Sequence, residues 1–131
     1  MYKKRDLLHM TITSHQFLTL KKKNKNKFGA KSCEFNGVKF PSKLEMHCYQ
    51  YLKSMQDSGI VKYIIRQIPF DLPGNATHKV DFMAVTDKGN VFIEAKGRDL
   101  ALGKLKRLQV EEIHKIIIHV ITAPLQIKNI L

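Results

Sequence analysis

"HKVDFMAVTDKGNVFIEAKG", residues 78–97, decides how the rest of the chain is read. Two runs of strand-forming residues, "HKVDFMAV" and "NVFIEAK", flank "TDKGN", and Lys-Gly set between Asp and Asn is the grammar of a tight β-hairpin. With Lys88-Gly89 as a two-residue loop, the register pairs 87 with 90, 85 with 92, 83 with 94 and 81 with 96. Residues directly opposite project from one face. One face of the expected hairpin is then wholly apolar, with Val80, Phe82, Ala84, Val91, Ile93 and Ala95. The other sets Asp81 across from Lys96 with Glu94 on the diagonal, so the two carboxylates are placed to hold one cation between them. An ordinary ion pair between Asp81 and Lys96 explains the same residues, contributes about 0.2–1 kcal/mol and implies no function.

The flanking segments extend the hairpin into an α/β unit. Upstream, "SKLEMHCYQYLKSMQDSG" predicts a helix with Ser42 at its N-cap, an apolar stripe of Leu44, Cys48, Tyr51, Leu52 and Met55, and Gly59 as a stop. Glu45, three residues after Ser42, fits a capping box, in which its carboxylate merely closes the first turn. "VKYIIRQIPFDL" reads as a strand ended by Pro73-Gly74-Asn75, with Gln67 as an exposed polar position or a site-supporting amide. Downstream, "RDLALGKLKRLQVEE" predicts a helix with Leu100, Leu105, Leu108 and Glu112 in period, weakened by Gly103. "KIIIHVITA" predicts a central strand buried on both sides. On such a strand His114 and His119 face opposite ways, which argues against a shared metal.

Composition narrows the function classes. The chain has 131 residues, enough for a single domain with one core. Lys and Arg number 23 against 11 Asp and Glu, a surplus of +12 that favours a polyanionic partner. Much of it sits early: Lys3, Lys4, Arg5, Lys21, Lys22, Lys23, Lys25 and Lys27 face one acid, Asp6, within residues 1–28. "KKKNKNK" has no apolar periodicity and predicts a basic, partly flexible arm over residues 1–26, ahead of a domain over 27–131. No apolar run is long enough to span a bilayer, and the N-terminus is too mixed for a signal peptide, so a soluble, cytoplasmic protein without a membrane partner is expected. Cys33 and Cys48 have neither disulfide-scaffold density nor zinc-site spacing and are read as ordinary thiols.

Asp81, then Glu94-Ala95-Lys96, with Glu45 on an earlier helix, resembles the signature of the PD-(D/E)xK nuclease superfamily, Val80 standing where the name has Pro. Within it the chain is similar to the T-odd phage endonuclease I family of Holliday-junction resolvases. That likeness runs over roughly residues 27–122 and includes "KFGAK", "FPSKLE", "IPFDLPGNATHKVDF" and "VFIEAKG". It implies a restriction-endonuclease-like core, a central mixed β-sheet flanked by helices, and magnesium-dependent hydrolysis of phosphodiester bonds in branched DNA, manganese serving as a substitute. By matching position, Asp81, Glu94, the Ala95 carbonyl and Glu45 would hold metal, and Lys96 would orient the attacking water and offset charge on the phosphate. The resemblance thus favours a site role for Glu45 over a cap.

Lys43, Arg98, Lys104, Lys106 and Arg107, with Lys21, Lys22, Lys23, Lys25 and Lys27 of the arm, suit contacts to the DNA backbone; a solvated helix face explains any one of the former equally well. A four-way junction has approximate twofold symmetry, so a homodimer is expected. The likeness further implies an exchanged strand near Ile65–Phe70. Two other readings compete: a sequence- or end-specific nuclease or transposase-type cleavage subunit with the same core, and a non-catalytic basic DNA-binding protein whose acids only form ion pairs.

Overall fold

The structure, a computed structural model, describes residues 32–131. The basic arm expected over 1–26 and Lys27 beside it lie outside the described residues. The described chain opens on a small hairpin, β1 (Cys33–Phe35) and β2 (Val38–Phe40), turned by Asn36 and Gly37 at φ 49 and 76. Asn-Gly tolerates two successive left-handed residues, which match the twist of the strands. Helix α1 (Lys43–Asp57) follows at once. The Ser42 hydroxyl accepts from the Glu45 N–H at 3.1 Å, satisfying a donor the helix leaves open. Cys48 and Leu52, four apart, are fully buried on its inner face.

Strands β3 (Tyr63–Leu72), β4 (Ala76–Thr86), β5 (Gly89–Ala95) and β6 (Ile118–Ile121) form a mixed sheet in that order. The first three run antiparallel to their neighbours, while β6 lies parallel to β5 after a crossover through α2 (Ala101–His114). A parallel neighbour requires such a crossover. Adjacent β5 residues face opposite sides, and Ile93 packs in the cluster of Phe40, Cys48, Leu52, Phe82 and Ala84, whereas Phe92 packs with Leu72, Val80, Val110 and Ile118. The sheet therefore lies between α1 and α2, an α/β architecture as expected.

Several local expectations are corrected. The hairpin register is Thr86↔Gly89, Val85↔Asn90, Ala84↔Val91, Met83↔Phe92 and Phe82↔Ile93, two residues from the expected pairing. Asp87 and Lys88 take the turn positions, and Gly89 follows them at φ 124 rather than sitting inside the turn. Thr86 sets this choice: its Oγ1 accepts from the Lys88 N–H and donates to the Gly89 carbonyl. A slip of two leaves every side chain on its face. Carried one step on, the register sets Asp81 opposite Glu94, with Lys96 on the diagonal.

The apolar face of β4 is not one surface. Val80 joins the cluster with α2, yet Phe82 joins the cluster with α1. The strand turns over at Asp81, where β3 opposite carries Gln67 at φ 53 between the pairs Arg66↔Phe82 and Ile68↔Val80. Strand β6 pairs only with β5 among the described residues, so it is an edge rather than a central strand, and Ile117 just before it is exposed. His114 ends α2 and His119 lies in β6, so the two do not share a strand. In α2 the expected stripe faces water: Leu105 and Leu108 are about half exposed, at 53% and 49%. Arg107 and Val110 take the inward side, because Arg107 finds carboxylates there.

Candidate active site

Three elements supply the acids. Glu45 comes from the first turn of α1, Asp81 from the point where β4 turns over, and Glu94 from the end of β5. Beyond Phe82↔Ile93 the backbone ladder stops, and the Ala95 N–H donates instead to Asp81 Oδ2 at 2.9 Å. Strand β5 departs toward β6, where the Lys96 N–H donates to the Ile121 carbonyl at 2.9 Å. Asp81 and Glu94 sit on either side of this splay.

On the α1 side, Glu45 is 4% exposed and its Oε1 accepts from Gln67 Nε2 at 3.0 Å. The Ser42 half of the capping box is therefore present, while the Glu45 carboxylate is engaged from β3. Arg66 Nη2 stands 3.9 Å from the same oxygen, its guanidinium lying over the Phe40 ring at 4.2 Å. Burial, reinforced by the charge of Asp81, pushes the Glu45 carboxyl up to about 7 against the lowering pull of Arg66, Gln67 and Lys96. Asp81 is likewise raised, by burial first and by Glu94, although Ala95 N–H, Lys96 and a Gln67 hydrogen bond oppose the shift. The Gln67 amide thus serves both carboxyls, and the Lys96 ammonium acts on both. Behind them, burial and the same two acids push the Cys48 thiol up to about 12, which leaves it protonated and a poor nucleophile.

On the α2 side, Glu94 is 1% exposed and is met by basic groups. Its Oε1 contacts His78 Nε2, and Arg107 Nη1 lies 3.9 Å from its Oε2. Arg107, expected among the DNA-contacting cations, is instead buried, 6% exposed, and binds Asp99 through both terminal nitrogens at 3.0 and 2.8 Å. Of the other expected backbone contacts, Lys43, Arg98 and Lys104 are exposed and Lys106 is half-buried.

Among the described residues no three His, Cys, Asp or Glu side chains are gathered into one ligand shell. The residues nevertheless suit a hard divalent ion. Glu94 Oε2 is buried without a hydrogen-bond partner, and the carboxyls of Glu45 and Asp81 are raised by burial first, with Asp81 adding to the shift of Glu45 and Glu94 to that of Asp81. Oxygen donors with too little positive charge around them are the set magnesium takes. Glu45, Asp81, Glu94 and the Ala95 carbonyl would hold it.

Sequence reasoning underweighted Gln67 and missed Arg66 and His78. An "RQ" pair in a strand gives no sign that its backbone takes a positive φ and aims at a helix. His78 bore one weak signal, its place in "HKVDF" three residues before Asp81. No family model, curated protein or solved structure matched this chain. The reading of the site therefore rests on its own residues.

Proposed function

We propose that the chain is a magnesium-dependent endodeoxyribonuclease of the PD-(D/E)xK type, with a restriction-endonuclease-like core, acting as a homodimer on branched DNA such as a four-way junction. The observation that carries this reading is the convergence of Glu45 from α1, Asp81 from β4 and Lys96 just past β5: Asp81 raises the Glu45 carboxyl, Lys96 lowers both acids, and Asp81 is bound to the Ala95 N–H. A structural ion pair needs no third partner of this kind; a phosphodiesterase site does.

The geometry supports the following roles. Magnesium, or manganese in its place, would supply Lewis-acid neutralisation of charge on the scissile phosphate. Glu45, whose carboxyl burial pushes up to about 7 with no ion bound, would complete the metal's donor set and give up its proton as the ion binds. Lys96, whose backbone is tied to β6 and whose charge acts on Glu45 and Asp81, would orient the attacking water and offset the charge that grows on the phosphate in the transition state. Gln67 keeps Glu45 and Asp81 in register with each other. The net charge of +12 supports a DNA partner, and exposed Lys43 and Lys104 offer phosphate contacts. Twofold pairing would present two such sites to the two scissile phosphates of a junction, and the exposed apolar side chains of α2 support association.

Cleavage of a four-way junction, a flap, a linear duplex and a single strand, each with magnesium and with chelator, tests the proposal. Preferential, magnesium-dependent incision of the junction is expected. Equal cutting of all four contradicts the branch-specific reading and favours the less selective nuclease, while no cutting with any divalent metal favours a non-catalytic DNA-binding protein.

A further inference from the structure

Two carboxylates face one guanidinium on the α2 side of the site, and they are not treated alike. Asp99, in the segment between β5 and α2, receives Arg107 Nη1 on Oδ1 at 3.0 Å and Nη2 on Oδ2 at 2.8 Å. Such a two-point fork is the geometry in which an arginine is held most firmly. Glu94 Oε2 is 3.9 Å from Nη1, near enough for charge to be felt and beyond hydrogen-bond reach. That oxygen is buried and has no hydrogen-bond partner, an arrangement that ordinarily costs free energy and is removed by a small side-chain movement where a donor stands nearby. Here the donor stands about an ångström too far away, on a guanidinium engaged by Asp99.

Resting on the proposed metal site, we infer that Asp99 is a positioning residue: it holds Arg107 back from Glu94, so that Glu94 Oε2 stays open to a divalent cation. Arg107 then offsets the charge of a deeply buried carboxylate through space without occupying its free oxygen. His78 holds the other oxygen, Oε1, so the carboxylate presents a defined face. Without the fork, Arg107 advances onto Oε2 and an incoming cation has to displace it. Asp99 acts on the ion through a third residue, as groups surrounding a metal's own ligands commonly do.

The test is binding of Mn2+ alone to the full chain, followed by its electron paramagnetic resonance signal. Asp99 is largely at the surface, so Asp99→Ala is expected to fold, with a melting curve confirming it. Its Mn2+ dissociation constant should rise about tenfold, the lower end of the range for such supporting residues. The double variant Asp99→Ala/Arg107→Gln, measured below its own melting transition because loss of Arg107 destabilises the fold, should return to within a few-fold of the parent, because the displaced competitor is gone; a merely structural Asp99 gives no such recovery. Unchanged affinity in Asp99→Ala overturns the inference, as does a double variant that stays as weak as the single one. A parent chain with no saturable Mn2+ binding overturns the metal site itself, and this inference with it.

Discussion

Glu45 and Glu94 are the same kind of side chain, both almost wholly buried, set on the two sides of the splay between β4 and β5, and the protein treats them differently. Glu94 meets two basic groups, His78 and Arg107. Glu45 meets an amide at 3.0 Å, a guanidinium only at 3.9 Å and the repulsion of Asp81, and its carboxyl rises to about 7. On the α2 side the chain supplies its own positive charge. On the α1 side it leaves a deficit. A buried deficit of cations beside carboxylate oxygens favours a bound ion, and in the proposed site that ion would relieve Glu45 and Asp81 on one side and meet the unpartnered Glu94 Oε2 on the other.

That contrast can be broken first on its balanced side. Replacing Arg107 with Met removes the cation nearest Glu94 and strands a buried charge, which should cost roughly 3 kcal/mol in urea unfolding at pH 7. A loss below about 0.5 kcal/mol would mean that Glu94 does not depend on Arg107. The deficient side predicts a smaller, pH-dependent effect. Folded Glu45 keeps its proton up to about pH 7, whereas an ordinary carboxyl loses it near 4.5, so the unfolded state is the first to release it. Stability should therefore fall as pH rises through 4.5 to 7, by on the order of 2–3 kcal/mol for the full shift. Glu45→Gln should flatten much of this slope in thermal melts between pH 5 and 8, leaving the share due to Asp81. A slope as steep as the parent's would show that Glu45 is not the titrating group.

The same contrast explains what was legible in the sequence. Alternation and a turn signal sufficed for the hairpin and its faces, because a strand's side-chain period is two and the actual slip was also two. The slip itself came from Thr86, whose hydroxyl favours a turn at Asp87-Lys88 with Gly89 after it, a choice that an Asp-Lys-Gly-Asn string leaves open. Helix α1 was legible from its cap and stripe, and the first hairpin had its own signal in Asn36-Gly37 that was not read. Asp81, Glu94 and Lys96 emerged from local spacing.

Their partners did not, since each lies far along the chain: Glu45 meets Gln67, Glu94 meets His78, and Arg107 meets Asp99 and Glu94. The leucines of α2 misled for a related reason. Periodicity marks an apolar stripe without telling which side the fold covers, and buried carboxylates drew the arginine inward. The expected central strand became an edge because a run of isoleucines gives hydrophobicity and not the number of neighbouring strands.

The most direct test is single-turnover cleavage of a four-way junction with magnesium by the parent chain and by Asp81→Asn, at DNA concentrations where both are fully bound. If Asp81 belongs to the catalytic cluster, the variant should bind the junction as tightly as the parent and cut it roughly 10²–10³-fold more slowly. Cleavage by Asp81→Asn at the parent's rate, or a rate lost only in step with DNA binding, would contradict the assignment of this cluster as the place where the phosphodiester bond is broken.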